Sequence, residues 1–253
     1  MIMSLQDIAW HRAVGQMIDA LDQPNFWTQL VRLLDQYVPS DSWVALLFSS
    51  EHRPLVFAEC PGADGTPDHL FQDYLNGLYL LDPFYIASRE HARTGLLRLA
   101  EVAPEHFELT EYYQRYFRLN VVADEIQFNC HLPDGRTLCL SLGSKQRFDP
   151  QQIALLSLIQ PWVVSLLRQR LPHELSQVST PQPIQNDDWG AQLTARELDV
   201  GRLMLSGCSS KEIARKLEIS VETVKVHKKH IYSKLGIKSQ SELFSIFLQA
   251  QNA

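Results

Sequence analysis

The spacing of apolar positions changes along the chain, and each change marks an element. Trp10, Val14, Met17 and Leu21 recur at intervals of three and four, as do Phe26, Leu30, Leu33, Leu34 and Tyr37. Both sets read as amphipathic helices, with Pro24 between them. The pattern then turns β-rich: Trp43 to Phe48 and Leu55 to Cys60 read as strands, before Leu70 to Leu81 returns to helix. Asp82-Pro83 has the form of a helix start, with Asp82 as N-cap and Pro83 at the first helical position. Glu108 to Leu119 reads as a helix dense in aromatics, namely Tyr112, Tyr113, Tyr116 and Phe117.

Val122 to His131 and Arg136 to Gly143 are the clearest strands, on either side of Pro133-Asp134-Gly135. A two-residue Asp-Gly turn would set Cys130 opposite Cys139 and mix polar with apolar residues on each face. A three-residue loop with Gly135 in the left-handed position gives cleaner faces. Ile126, Phe128 and Cys130 then meet Leu142, Leu140 and Leu138. Register follows the buried face, so a disulfide across these strands is rejected. Asp149-Pro150 caps a long apolar helix to about Arg170, with Pro161 expected to kink it.

Three capping boxes crowd the C-terminal part: Thr194 with Glu197, Ser209 with Glu212, and Ser239 with Glu242. Only Glu218-Ile219-Ser220 separates the second helix of this region from the third. Two short helices joined so tightly form a helix-turn-helix, whose second helix can enter a major groove. At ~100° per residue, Val224, Ile231 and Leu235 share the buried side of that second helix. Lys225, Val226 and Lys229 then face outward, with Glu222 and His230 at the ends of the face. Lysines there can donate to guanine or phosphate, and Val226 can touch a thymine methyl. Ser220 is the expected N-cap. Thr223 can reach a phosphate, and Lys211 and Lys228 suit backbone phosphates. His227 reads as packed core. In the last helix Leu243, Ile246, Phe247 and Ala250 point inward, which leaves Phe244 and Leu248 as an exposed dimer seam, with a broader core or packing on the sensory domain as the competing reading.

Charge sharpens this division. The whole chain carries −6, yet the residues from Gly190 onward hold ten Lys or Arg against six Asp or Glu, a balance of +4, which leaves −10 for the rest. An acidic body joined to a basic terminal domain places nucleic acid at the latter. With 45% hydrophobic residues the chain can bury a core. No uninterrupted apolar run approaches the ~18 residues of a membrane span, and residues 1–7 show no signal-peptide pattern. A cytoplasmic location is expected. Cys60, Cys130, Cys139 and Cys208 are too scattered for a zinc site, so no metal or cofactor is expected.

The expected organisation is an α+β domain over 1–170, an antiparallel sheet flanked by helices. A Pro-containing linker over 171–189 and an all-α four-helix helix-turn-helix domain over 190–253 complete it. The C-terminal motifs are Leu193-Thr194-x-Arg196-Glu197, Gly207-x-Ser209-x-Lys211-Glu212-Ile213-Ala214, Leu217-x-Ile219-Ser220, Thr223-Val224-Lys225-x-His227 and Ile231-x-x-Lys234-Leu235-Gly236. Together they resemble the LuxR-type (LuxR/FixJ, NarL-like) DNA-binding domain almost from end to end. The resemblance implies a bacterial transcription regulator that binds double-stranded DNA as a homodimer, with base contacts at Lys225, Val226 and Lys229. RNA polymerase is a further partner if the protein activates. Gly201 replaces a usual large aliphatic, and Gln240 a common Arg.

The front part resembles, more weakly, the autoinducer-binding domain of quorum-sensing LuxR regulators, in its order of elements and in Tyr74 followed by Asp82-Pro83. The resemblance implies a small-molecule effector, bonded in that family by the Tyr and Asp. Here the Tyr–Asp spacing is one residue short, and Leu70 stands where the family has a lactone-binding Trp. A GAF-like pocket for another metabolite fits as well. Trp43, Tyr74, Asp82, Tyr85, Tyr112, Tyr116 and Ser141 are the candidate ligand residues; for the aromatics the competing reading is core, and for Asp82 it is helix capping. Two other classes fit the chain less well. A phosphorylated response regulator needs an early strand with an acidic pair, but this chain opens on helices and Lys145 is its only lysine before Lys211. An enzyme with a DNA-binding tail would need a nucleophile elbow, metal cluster or phosphate loop, and none is legible. No catalytic residue is assigned.

Overall fold

The computed structural model describes residues 5–60, 69–121, 123–176 and 190–251. In chain order the elements are helices α1 (Leu5–Asp19) and α2 (Phe26–Asp35), strands β1 (Ser42–Phe48) and β2 (Leu55–Glu59), helix α3 (His69–Leu75), a 3-10 turn at Leu78–Leu81, and α4 (Pro83–Glu90). Strand β3 (Gly95–Arg98), helix α5 (Leu99–Val102), a 3-10 turn at Phe107–Leu109, a π-helical turn at Tyr113–Phe117 and the short α6 (Arg118–Asn120) follow. Then come β4 (Asp124–His131), β5 (Thr137–Ser144), the long α7 (Pro150–Leu175), and α8 (Ala195–Leu205), α9 (Ser210–Lys216), α10 (Val221–Leu235) and α11 (Gln240–Gln251). They group into two compact units.

The first unit holds α1, α2, the sheet and α7. All five strands are antiparallel, in the order β2-β1-β5-β4-β3. The β4–β5 register matches the expected one: Ile126 pairs with Leu142, Phe128 with Leu140 and Cys130 with Leu138. Leu132 N–H donates to Arg136 O at 2.9 Å, closing a Pro133-Asp134-Gly135 loop in which Gly135 takes φ +85°. The cysteines are free. Side chains alternate across the sheet because successive strand residues point to opposite faces. One face, with Ala45, Leu47, Ile126, Phe128, Cys130, Leu138, Leu140 and Leu142, packs with Phe26, Leu30, Leu34, Leu156, Val163 and Leu167 of α2 and α7.

A buried ionic clamp fixes the end of α7. Arg170, 2% exposed, donates to Glu174 at 2.7 Å and to the carbonyls of Leu21 and Gln23 at 2.6 and 3.0 Å. The Trp27 indole N–H donates to the same Glu174 carboxylate at 2.6 Å. The expected cap is present, with Asp149 accepting from the Gln151 and Gln152 amides. The helix continues past both internal prolines, Pro161 and Pro172, to Leu175. By length and composition alone α7 could cross a bilayer, a property the uninterrupted-run reading did not register; its buried residues join the unit's core.

The second unit holds α3 to α6 with their intervening turns, and α8 to α11. It groups residues 69–90 and 99–120 with the C-terminal helices rather than with the sheet. The helix expected over Leu70 to Leu81 is interrupted: Gly77 takes φ +143° and the chain restarts as a 3-10 turn. The helix expected over Glu108 to Leu119 is 3-10, then π, then α. Of the linker expected over 171–189, residues 177–189 lie outside the described residues.

Candidate nucleic-acid interface and effector site

The helix-turn-helix is built by its caps. Thr194, Ser209 and Ser220 each accept the N–H three residues on, and the first two complete reciprocal capping boxes with Glu197 and Glu212. Each cap satisfies amide donors that a helix start leaves without partners. Ser239 accepts from the Glu242 amide at 3.2 Å and opens α11. Arg196 ties α8 to the turn by donating to Leu217 O at 2.5 Å. In the turn Glu218 has φ +53°, the one non-glycine residue with positive φ among the described residues.

Glu197 is the electrostatic centre of this fold. It is 3% exposed and takes hydrogen bonds from Lys234 at 2.6 Å and from the Thr194 N–H at 2.8 Å. The Lys234 hydrogen bond first, and the Thr194 amide next, hold its carboxyl down at about 2. His230 Nδ1 lies 3.7 Å from the same carboxylate. Gln240, where the related family commonly has an Arg, donates to Met204 O at 2.5 Å.

On α10 the two faces separate as expected. Val224 and Ile231 are fully buried, whereas Lys225, Val226, Lys229 and His230 are exposed, Val226 at 50%. Lys225 holds a surface ion pair with Glu222 at 2.8 Å, an arrangement of small energetic weight that phosphate can displace. Thr223 is exposed and its hydroxyl lies 2.8 Å from Ser220 Oγ. Lys211 is exposed in the first turn of α9. Lys228 is half-buried, and burial lowers its ammonium pKa. His227 is half-buried with a buried, unpartnered Nδ1.

The dimer seam needs correction. Phe244 is fully buried, not exposed, with the Arg115 guanidinium over its ring at 4.8 Å from the centroid; Leu248 is half-buried. Helical spacing turns Phe244 away from Leu243, yet its ring also lies 6.4 Å from that of Phe247. Spacing carried no information about what lies on the other side.

The candidate ligand residues fall into two places. In the second unit, the Tyr74 hydroxyl donates to Asp82 at 2.7 Å, and the Asp82 carboxylate also accepts the Phe84 amide at 2.8 Å. Asp82 is thus both the cap of α4 and the partner of Tyr74. It is 3% exposed, and burial pushes its carboxyl up to about 6 against the opposing pull of these hydrogen bonds. Burial, and then the Asp82 charge, raise the Tyr74 phenol. Tyr74 stacks on Tyr116 at 5.1 Å, Tyr116 contacts Tyr112 at 5.5 Å, and Tyr79 bridges Tyr74 and Tyr85. Four of the expected residues besides Asp82 therefore form one aromatic cluster.

In the first unit, Trp43 and Ser141 do not share a face. Trp43 pairs with Leu142 and packs on the apolar core, whereas Ser141 pairs with Val44 and Gln127 on the opposite side. The sheet's two-residue period separates them, so they do not line one pocket. Ser141 donates to Glu125, in a buried polar row that also holds Gln127 and Asn129. Gln127 Oε1 and Asn129 Oδ1 have no partner. The alternation of polar residues along β4 is the sequence signal for this row.

Comparison with known proteins agrees with both parts. The profile of the luxR family of bacterial regulatory proteins matches residues 191–247. A putative HTH-type transcriptional regulator of Aeromonas salmonicida is 31% identical over 183 residues, 66% of this chain and 93% of that one. The monoamine regulon transcriptional regulator of Klebsiella aerogenes is 28% identical over 179 residues, 70% of this chain and 72% of its own. Among solved structures, the VqsR LBD domain of Pseudomonas aeruginosa is 47% identical and covers 65% of this chain and 98% of its own, with a TM-score of 0.59.

Proposed function

The chain belongs to the luxR family of bacterial regulatory proteins, and from that premise we propose that it reads operator DNA with α10, as a homodimer, under the control of a small molecule. One observation carries the DNA-binding part. α10 buries Val224 and Ile231 while leaving Lys225, Val226 and Lys229 exposed together on its other side. Lysines on such a face donate to guanine edges, and an exposed valine suits a thymine methyl. Lys211, Thr223 and Lys228 fix the helix on the phosphates, which position without reading sequence. Ser220 acts through the cap it forms. RNA polymerase is the further partner at promoters that the protein activates.

The test is operator binding with selected DNA. Lys225→Ala or Lys229→Ala loses about 1–3 kcal/mol of affinity and relaxes sequence preference. Lys228→Ala weakens all sequences alike and flattens the salt dependence. Operator binding unchanged in both Lys225→Ala and Lys229→Ala removes α10 from the groove.

The sensing part rests on the Tyr74–Asp82 pair and its aromatic cluster, and on the likeness of the front part to a domain described as an LBD. A buried carboxylate beside a stack of tyrosines offers one polar anchor within an apolar wall, the usual make-up of a small-molecule site. A native-state ligand must raise thermal stability. A broad metabolite panel that shifts neither the melting temperature nor operator affinity eliminates sensing and leaves a ligand-independent regulator.

A further inference from the structure

Strand β4 has two faces of opposite character. Ile126, Phe128 and Cys130 join the apolar core, and Glu125, Gln127 and Asn129 take the alternate positions on the other face of the sheet. A polar set on one face of an antiparallel sheet ordinarily marks a face that meets water. This one does not, since Gln127 and Asn129 are each 1% exposed and Glu125 is buried as well. The face is patterned for polar company and closed to solvent.

The fold does not supply that company. Gln127 Oε1 and Asn129 Oδ1 are buried without a hydrogen-bond partner, and their neighbours in the sheet show why. Ser141 stands opposite Gln127, but its hydroxyl donates to Glu125. Cys139 stands opposite Asn129, but its thiol donates to the Thr137 carbonyl at 3.5 Å. On the β3 side the opposing residues are Leu97 and Gly95, which bring no side-chain donor. Turning Ser141 toward Gln127 would only strip the Glu125 carboxylate instead. A buried acceptor left so gives up its hydration for nothing, and native folds hold few of them. Two in succession on one strand face, with a carboxylate next in line, require donors from outside the fold.

We infer that the Glu125, Gln127 and Asn129 face of β4 is a binding site for a small molecule with hydrogen-bond donors along its length, an aliphatic diamine or diol rather than a chain without donors. The inference rests on the small-molecule reading above and states the chemistry that the first unit takes. Alternate residues of an antiparallel strand stand ~7 Å apart, so two donors at that spacing reach Gln127 and Asn129 together. Glu125 continues the line. Its carboxylate keeps lone pairs beyond the one that Ser141 uses, and its charge favours an ammonium at that end. Leu46, opposite Cys139, and Leu97, opposite Gln127, lie on the same face and suit the methylenes between the donors.

The experiment is calorimetric titration and thermal unfolding of the full chain with three probes: cadaverine (a five-carbon diamine), the corresponding terminal diol, and hexanoate, which has acceptors only. The donor probes are expected to bind and to raise the melting temperature, and hexanoate to do neither. Tighter binding of the diamine identifies amines as the ligand class, and tighter binding of the diol identifies alcohols. Gln127→Met and Asn129→Leu should each weaken the better donor probe about tenfold. Each also removes an unpaired acceptor, so the ligand-free variant should melt about 2–4 °C higher than the wild type. Amides that serve only the fold predict the opposite sign. Ligand-free variants that melt lower, with probe binding unchanged, overturn the site. So does a shift that persists in the double variant, since the probe is then held elsewhere. Failure of both donor probes to bind the wild type overturns it without any variant. If the metabolite panel stabilises the chain only through molecules without donors, the sensing reading stands and this inference falls; if nothing stabilises it, both fall.

Discussion

Replacing Asp82 with Asn should remove a pH dependence that the buried carboxylate imposes on folding. Asp82 is 3% exposed, and burial raises its carboxyl from an ordinary 3.8 to about 6. Between those values the folded chain keeps a proton that the unfolded chain has already released. Stability therefore falls as pH rises through this window, the reverse of the usual carboxylate. At about 1.4 kcal/mol per unit of pKa, the difference amounts to about 3 kcal/mol, fully expressed above pH 6. Asn retains an oxygen for the Phe84 amide, so the cap of α4 survives the substitution. Urea unfolding of both proteins at intervals from pH 4 to 7, followed by intrinsic fluorescence, isolates the effect, because every other titrating group cancels in the difference. The wild type should lose up to about 3 kcal/mol against Asp82→Asn across that range. Tyr74→Phe removes a hydrogen bond that favours the charged carboxylate, so the loss should then extend above pH 6. Parallel curves, or a wild type that gains on the variant as pH rises, would show that the carboxylate is stabilised as an anion and would refute the reasoning.

Three further outcomes follow from the fold. Glu174→Ala strands the Arg170 guanidinium in the core and should cost about 3–5 kcal/mol; a loss under about 1 kcal/mol by urea unfolding would contradict the clamp. Glu218→Gly relieves a left-handed residue and should stabilise the DNA-binding helices by about 1 kcal/mol without altering operator affinity; a lower melting temperature would disprove it. Glu197 is held at about 2, so the stability it supplies is complete above its ordinary 4.5 and is lost as pH falls toward 2. Lys234→Met removes the largest contributor and should move acid unfolding of these helices, followed by circular dichroism, to higher pH; an unmoved midpoint would count against the pairing.

Most of the fold was legible because its signals are local. The β4–β5 register followed from which faces are apolar and from Gly135 at the one loop position that needs positive φ. The N-caps at Asp149, Thr194, Ser209 and Ser220 followed from residue types whose side chains reach an amide two or three positions ahead. The misses have equally definite causes. β3 is four residues long, too short for alternation to show. Glu108 to Leu119 has helical composition, but a π turn advances fewer degrees per residue than the ~100° assumed in reading a helical face. The Arg170–Glu174 pair looks in sequence like an ordinary i,i+4 surface pair, and only the Leu21 and Gln23 carbonyls and Trp27 reveal it as buried.

The candidate site divides along the same line. α10 was readable to the residue because a single helix decides which side chains share a face, and Lys225, Val226 and Lys229 needed no distant partner. Trp43, Ser141 and Phe244 each depend on what lies across from them. Parity separates Trp43 from Ser141 as soon as β1 is paired with β5, since residues 43 and 142 oppose each other and so do 44 and 141. A register is a long-range fact, and the chain gave a strong turn signal for β4–β5 but none for β1–β5, whose strands are nearly ninety residues apart. Phe244 is the most instructive case. Its spacing on α11 turns it away from Leu243, and a large apolar side chain in that position requires a cover. Sequence reasoning favoured a second copy as that cover, over a broader core or packing on the sensory domain. The structure supplies Arg115 instead.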